Sequence, residues 1–426
     1  MNLLSNEDRT SLVRLRDELS KRYDEYCSMN LSLDMTRGKP SAEQLDIAND
    51  IYGLVNASDT FSEDRFDCRN YGVPTGLPEC KRMFSMITGF DPSLIVIGNN
   101  SSLSMMYDTL MRSMVFGEIE SDRPWSVENV RKWICPVPGY DRHFAITQNL
   151  GFEMIPVPMK KDGPDMDIVE KLLASDPTIK GMWCVPLYSN PDGYIYSETV
   201  CIRIASMKAA AKDFRVFWDN SYAVHNLYPD HRQSIPNILS LCREYGYPNR
   251  VYAFSSTSKI TFAGSGIACL ASNEQNITRV SKQLSLRTIG PDKLNQLRHV
   301  RYIPNLDALH AIMDQHANIL RPKFEAVDSI LSEELSGLGI ANWHKPLGGY
   351  FFSLFLPTGT AKAVVETAKK AGVLLTPAGA TFPYGIDPND SNIRIAPSFP
   401  PLTDIVTATK VLCVCAKLIA VEQLLV

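Results

Sequence analysis

Lys259 follows an apolar run, Val251 to Phe254, that passes into the hydroxyl residues Ser255 to Ser258 and then into the small residues Ala263 to Gly266. A lysine amine in such a setting can form a Schiff base with a carbonyl, and hydroxyls beside it can hold an anion. Most lysines are solvated charges, so Lys259 gains meaning only from its company. Asp219 ends another apolar run, Val216 to Trp218, with Tyr222 three residues on. Asn190 opens an Asn-Pro turn after Gly181 to Leu187. Tyr140 follows Trp133 to Val137, and Asn100, Ser101 and Ser102 follow Leu94 to Ile97. An amine, a carboxylate, amides, phenols and hydroxyls thus recur just after successive apolar runs.

Each run is short and does not alternate, the pattern of strands buried on both faces of a parallel sheet. Helical spacing separates them. Leu103, Met106, Tyr107, Leu110, Met111 and Met114 fall on one face, and Val200 to Lys212 reads as a further helix. Strands alternating with helices predict an open α/β sheet whose ligands bind beyond the carboxyl ends of the strands. Ser101, Tyr140, Asn190, Asp219, Tyr222 and Lys259 are therefore expected in one crevice. That set suits pyridoxal 5′-phosphate. Asp219 can pair with a pyridinium nitrogen and keep the ring an electron sink. Asn190 and Tyr222 can reach the ring's phenolic oxygen, and Tyr140 can stack on its face. Ser101 and Ser102 at a helix N-terminus, with Ser256 and Ser258, can receive the phosphate. Each residue also has a plainer reading: a helix cap for Ser101 or Ser102, a turn for Asn190-Pro191, core packing for Tyr140. Their joint placement at successive strand ends favours the cofactor.

With these residues in place, the chain resembles fold type I pyridoxal-phosphate enzymes of the class I/II aminotransferase group. Ser256 to Lys259 resembles the Schiff-base segment, Asp219 to Tyr222 the cofactor Asp-x-x-Tyr segment, and Asn190 to Gly193 the Asn-Pro-x-Gly turn. Pro346 to Phe351 and Val373 to Gly379 resemble signatures of a smaller second α/β domain. Asn392 to Ala396 resembles the segment whose arginine, here Arg394, binds the substrate α-carboxylate. Tyr71 to Glu79 resembles the segment whose tyrosine reaches the phosphate in the other subunit, which implies a homodimer. Asp34 to Pro40, the Gly98 to Ser102 loop with Asn100, and Thr288 to Lys293 resemble a divergent bacterial aspartate aminotransferase subgroup related to the aminotransferase domain of MocR-type regulators. The first cofactor-domain motif, near residue 71, leaves no room for the DNA reader of such regulators. One departure stands out. The family's phosphate-pairing arginine, a few residues past the lysine, is missing from Ala263 to Ala268. Backbone N–H groups of Gly264 to Gly266, the serines, Tyr71 or another cation are then expected to meet the phosphate.

Composition sets outer bounds. With 426 residues, 45% of them hydrophobic, the chain can bury a large core. A net charge of −4 gives no general attraction to nucleic acid or anionic membranes. No secretory pattern opens the sequence, and no apolar run approaches the ~20 residues that span a bilayer. Ten scattered cysteines fit reduced thiols and a cytoplasmic setting. The seven histidines form no metal cluster, and His143 and His225 are expected near the site in supporting roles. The expected division is 1–60 as an N-terminal arm and part of the small domain, 61–305 as the large cofactor domain, and 306–426 as the C-terminal small domain. A helix over residues 5–30 with Ser5 and Asp8 as a capping box, a helix flanked by Pro304 and Pro322, and an amphipathic helix over 406–426 complete the expectation.

The resemblance implies transamination between an amino acid and a 2-oxo acid, with Lys259 as proton carrier and Arg394 as carboxylate clamp. Aspartate and 2-oxoglutarate would need a second cation for the distal carboxylate. Arg37, directly before Gly38, is the first choice, and Lys39, Arg287, Lys293 and Arg298 are the others. Alanine–glyoxylate or aromatic transamination, or a β-lyase reaction, would instead use a small or apolar pocket, for which Tyr52, Phe61 and Tyr350 are candidates. A non-catalytic cofactor-binding sensor is disfavoured by the complete Asp, Lys and Arg set.

Overall fold

The computed structural model describes residues 3–426. Its largest element is an eight-stranded sheet in the order Ile95–Ile97, Ala268–Ala271, Val251–Ser256, Arg215–Asp219, Ile179–Cys184, Lys132–Val137, Glu153–Lys160, Gly163–Pro164. The four strands from Val251–Ser256 to Lys132–Val137 are mutually parallel and almost wholly buried. Ala268–Ala271 is antiparallel to both its neighbours, Ile95–Ile97 and Val251–Ser256. Two reversals restore direction. All five strands read from the sequence therefore deliver their carboxyl ends to one side, where the chemistry-bearing residues follow.

Local sequence explains the helices between them. Ser101 caps Ser102–Phe116 by accepting from the Ser104 N–H at 3.4 Å. Pro78 starts Pro78–Thr88, and Gly89, at φ +74°, ends it in a left-handed turn that favours glycine. Glu198–Ser206 stops short of the expected Lys212.

Two smaller sheets lie outside the large one. Asn342–Trp343, Phe352–Phe355 and Asn392–Ile395 form an antiparallel sheet that carries Arg394 opposite Ser353. Leu33–Asp34 pairs in parallel with Val373–Leu374, which ties the segment leading to Arg37 and Gly38 to C-terminal residues.

Three further helical expectations change. Asp8 caps Arg9–Ser28 by accepting from the Ser11 N–H at 2.9 Å, while Ser5 lies in a separate short turn, so the box is not formed. Pro322 lies inside Leu306–Leu335 rather than at its end. The lost hydrogen bond costs about 3 kcal/mol, while Leu320, Phe324, Val327 and Leu331 around it are buried and each contributes roughly 1.5–3 kcal/mol. Leu402–Leu425 is not amphipathic: it runs through the core against Arg9–Ser28 and Leu306–Leu335, and its Lys417 is paired with Glu334. Among the described residues, no helix is long and apolar enough to cross a membrane.

Candidate active site

The carboxyl ends of the strands open into a cavity of about 650 Å³. Its wall includes Arg37, Gly38, Lys39, Ser101, Ser102, Tyr140, Asn190, Asp219, Tyr222, Ser256, Ser258, Lys259 and Arg394, so thirteen sequence-predicted residues meet there. Asn100 stands just behind: its carbonyl accepts from Ser258 Oγ at 3.0 Å, and its side-chain amide donates to the Gly264 carbonyl at 3.3 Å. Tyr71 is not on this wall. It is 77% exposed and rims a separate depression of about 480 Å³ with Lys293 and Gly290.

Asp219 ends its strand buried, with Oδ2 3.1 Å from His143 Nε2. Its other oxygen accepts from the Ser221 N–H at 3.2 Å and from the Ser221 hydroxyl. His143 is fixed in turn by stacking on Trp183, centroids 4.2 Å apart and planes 8° apart, and by the edge of Tyr140 at 4.9 Å. The sequence offered a signal for His143, because it lies three residues after Tyr140 and shares a face with it at the start of Asp141–Asn149.

Lys259 Nζ lies 4.8 Å from the Tyr222 ring centroid and 5.8 Å from that of Tyr350. Loss of hydration pushes its ammonium below the ordinary lysine range, and the Asp219 charge opposes that shift. Burial pushes the Tyr140 phenol up to about 12 and the Tyr222 phenol well up, so both stay protonated near neutral pH. Behind Lys259, His316 Nε2 is 3.0 Å from the Ile260 carbonyl, and Gln44 bridges His316 Nδ1 and the Tyr350 hydroxyl at 3.2 and 2.9 Å. This buried chain anchors the N-terminal segment that carries Arg37 and Gly38.

Arg394 is 8% exposed. Its Nη1 donates to Asp141 Oδ1 at 2.9 Å and lies 3.5 Å from Asn190 Oδ1. Its guanidinium rests 5.0 Å from the Phe351 ring centroid. Gly38 makes that packing possible: a Cβ there would come within 2.3 Å of the same ring. Asp141 is a cavity-wall partner of Arg394 that sequence reasoning missed, since nothing local to it points to a partner so distant in the chain.

The hydroxyl end is differently built. Ser102 Oγ is 3.3 Å from Ser221 Oγ, and Ser258 donates to Asn100 as above. No cation bonds to these hydroxyls among the described residues. A Cβ at Gly266 would sit 3.1 Å from the Ser258 backbone N and Cα, so the loop after Lys259 is closed too tightly for a side chain at that point without rearrangement.

Among the other candidate cations, Arg37 lines the cavity, exposed and without an ion pair among the described residues. Lys39 also lines it, with Nζ 3.8 Å from the Phe399 ring centroid. Arg287 is paired with Asp108 at 2.5 Å, and Lys293 lies in the Tyr71 depression. Arg298, Tyr52, Phe61 and Tyr350 are not on the cavity wall.

The chain resembles known proteins over almost its whole length. The family profile described as aspartate amino-transferase matches residues 5–426. A putative aminotransferase of Mycolicibacterium smegmatis is 47% identical over 98% of this chain and 98% of its own length. The crystal structure of an aspartate transaminase from Corynebacterium glutamicum superposes with a TM-score of 0.97 at 44% identity, covering 99% of each chain. The α-aminoadipate aminotransferase LysN of Thermus thermophilus, solved with N-(5′-phosphopyridoxyl)-L-leucine, shares the fold at a TM-score of 0.73 and 19% identity, over 91% of this chain and 93% of that one.

Proposed function

Because this chain belongs to the aspartate aminotransferase family, we propose that it moves the amino group of L-aspartate to 2-oxoglutarate with pyridoxal 5′-phosphate bound at Lys259. Aminotransferases of this fold family use that cofactor, and the residues present suit it. Asp219 is a buried carboxylate whose only ion-pair contact among the described residues is His143, which leaves it fit to accept from a cationic ring N–H. Asn190 and Tyr222 would hold the phenolic oxygen and Tyr140 the ring face. Asn100, Ser101, Ser102, Ser256 and Ser258 would receive the phosphate. Bound there, the cofactor supplies an electron sink for the bond broken at the substrate Cα.

The protein's own residues do the rest. Lys259 Nζ takes the proton from the substrate Cα and would hand it on to the cofactor's carbonyl-derived carbon, which needs the neutral amine that burial favours. Arg394 grips the α-carboxylate as a planar fork and fixes which Cα bond faces Lys259. Arg37 meets the distal carboxylate, because it stands beside Gly38 in the segment that walls the cavity; Arg142 is a second exposed guanidinium on that wall without an ion pair among the described residues. The carrying observation is that Lys259, Asp219 and Arg394, from three separate segments, wall one cavity. Tyr52 and Phe61 stand off that wall, which disfavours an aromatic side-chain pocket.

A homodimer belongs to the same proposal. Tyr71 faces open space near the exposed Leu286 and Ile289, as a surface covered by a second copy would, while Lys293 in the same depression is buried. The division at residues 60 and 305 is likewise proposed, supported by the separate small sheets, and so is a cytoplasmic setting, supported by nine buried free cysteines. The test is oxaloacetate formation by the cofactor-loaded protein from L-aspartate and 2-oxoglutarate. Turnover with alanine and glyoxylate alone would overturn the substrates. No transamination with any pair would overturn the reading.

A further inference from the structure

We propose that Asp141 is a built-in competitor for the substrate's α-carboxylate: it occupies Arg394 until substrate displaces it, and so sets the site's affinity for every carboxylate held there. This rests on the reading of Arg394 as the carboxylate clamp. Asp141 is the only carboxylate paired with Arg394 among the described residues, at 2.9 Å. The other contacts are neutral and longer. Nε and Nη2 lie 3.4 and 3.3 Å from Thr376 Oγ1, and Nη1 lies 3.5 Å from Asn190 Oδ1. The Thr376 hydroxyl proton is committed to the Thr36 carbonyl at 3.0 Å, so its oxygen is left to accept from the arginine. Neutral acceptors orient the guanidinium but do not balance its charge.

The two partners differ in freedom. The Arg394 side chain is 8% exposed and packed on Phe351, whereas that of Asp141 is 34% exposed. Arg394 cannot follow its partner out, but Asp141 has a path to water. Asp141 is also the first residue of Asp141–Asn149, where the helix N-terminus favours a carboxylate whether or not it is paired. Leaving Arg394 therefore costs Asp141 little, while keeping Arg394 unpaired in the empty site would leave a buried charge uncompensated. Binding becomes an exchange of one carboxylate for another. The apparent affinity is the intrinsic one reduced by the fraction of sites in which Arg394 is free. An Asp141 that stayed paired and merely oriented Arg394 would have the opposite effect when removed.

Asp141→Asn keeps the shape and removes the charge. On the cofactor-loaded enzyme, KM for L-aspartate and for 2-oxoglutarate and the Kd of succinate, which has no amino group to transfer, are measured together. All three are expected to fall by up to about fivefold, the scale a partly exposed ion pair supports, with the change carried by KM rather than kcat. A rise in the three constants would make Asp141 an orienting residue and overturn the exchange, and unchanged constants would overturn it too. Arg394→Gln separates this failure from that of the parent reading. If succinate binds that variant as tightly as the wild type, Arg394 is not the clamp. If it binds more weakly while Asp141→Asn has no effect, only the exchange fails.

Discussion

The two ends of the cavity meet negative charge with opposite chemistry. At the Arg394 end a fixed guanidinium is held by Thr376, Asn190 and Phe351 and balanced by Asp141. At the other end Ser101, Ser102, Ser256 and Ser258 present hydroxyls and a helix N-terminus, with no cation bonded to them among the described residues. Charge-assisted bonds are roughly twice as strong as neutral ones and bidentate geometry adds selectivity. The arginine end is thus suited to a ligand that must be chosen and exchanged at each turnover. The hydroxyl end grips an anion through many weaker donors and depends on their number.

Lys259 lies between the ends and tests whether both serve one reaction. Lys259→Ala is expected to lower transamination by about 10⁴-fold or more, with Arg394 and the hydroxyls untouched. Near-wild-type turnover in the purified variant would break the scheme at its centre. Asp219→Ala comes next, at about 10²–10³-fold in kcat, because the preorganised charge at the strand end is lost while the fold persists. If kcat barely changes there, the His143–Asp219 pair is structural only.

The contrast between the ends also explains what was legible in the sequence. Strand ends were readable because Val251 to Phe254, Val216 to Trp218 and Gly181 to Leu187 are short apolar runs, and whatever follows such a run in a parallel sheet lands on one side. That logic found Lys259, Asp219, Asn190 and the serines. Pairings between sheets were not readable. Asp141 meets Arg394 across 253 residues, and the meeting depends on how the small antiparallel sheet sits over the large one. Ala268–Ala271 was missed because four residues of Ala, Cys and Leu carry too little periodicity to signal a strand. Pro322 and Leu402–Leu425 misled for the same reason: tertiary burial overrode a local cue.

The neutral end is tested by thinning its donors. Ser256→Ala with Ser258→Ala is expected to weaken cofactor binding by roughly tenfold, since hydrogen bonds to a charged group are worth about 1.5–3 kcal/mol and Ser258 already spends its proton on Asn100. Equilibrium dialysis of the cofactor checks this. A negligible change would mean that the backbone of the helix N-terminus, or a residue of a second copy such as Tyr71, carries the phosphate.

The smallest effect sharpens the charged end. Asp192, two residues past Asn190, is buried with both carboxylate oxygens unpartnered, and burial pushes its pKa up to about 7 from an ordinary 3.8. Between those values the folded protein keeps the proton and the unfolded chain releases it. The contribution of Asp192 to stability therefore falls as pH rises from about 4 to about 7 and is level above that. The buried histidines slope the other way. His225, held down at about 3 by burial, and His316, also lowered by burial, are neutral in both states above pH 6.5 and cost stability as pH falls below it. The raw Tm profile mixes the two, but the difference between wild type and Asp192→Asn isolates the carboxyl. The variant is expected to melt a few degrees higher than wild type at pH 8 and with no such advantage at pH 4.5, as loss of a buried uncompensated charge worth a few kcal/mol requires. A difference in Tm that does not vary with pH would mean that Asp192 titrates alike in the folded and unfolded states, and that its burial leaves its proton affinity unchanged.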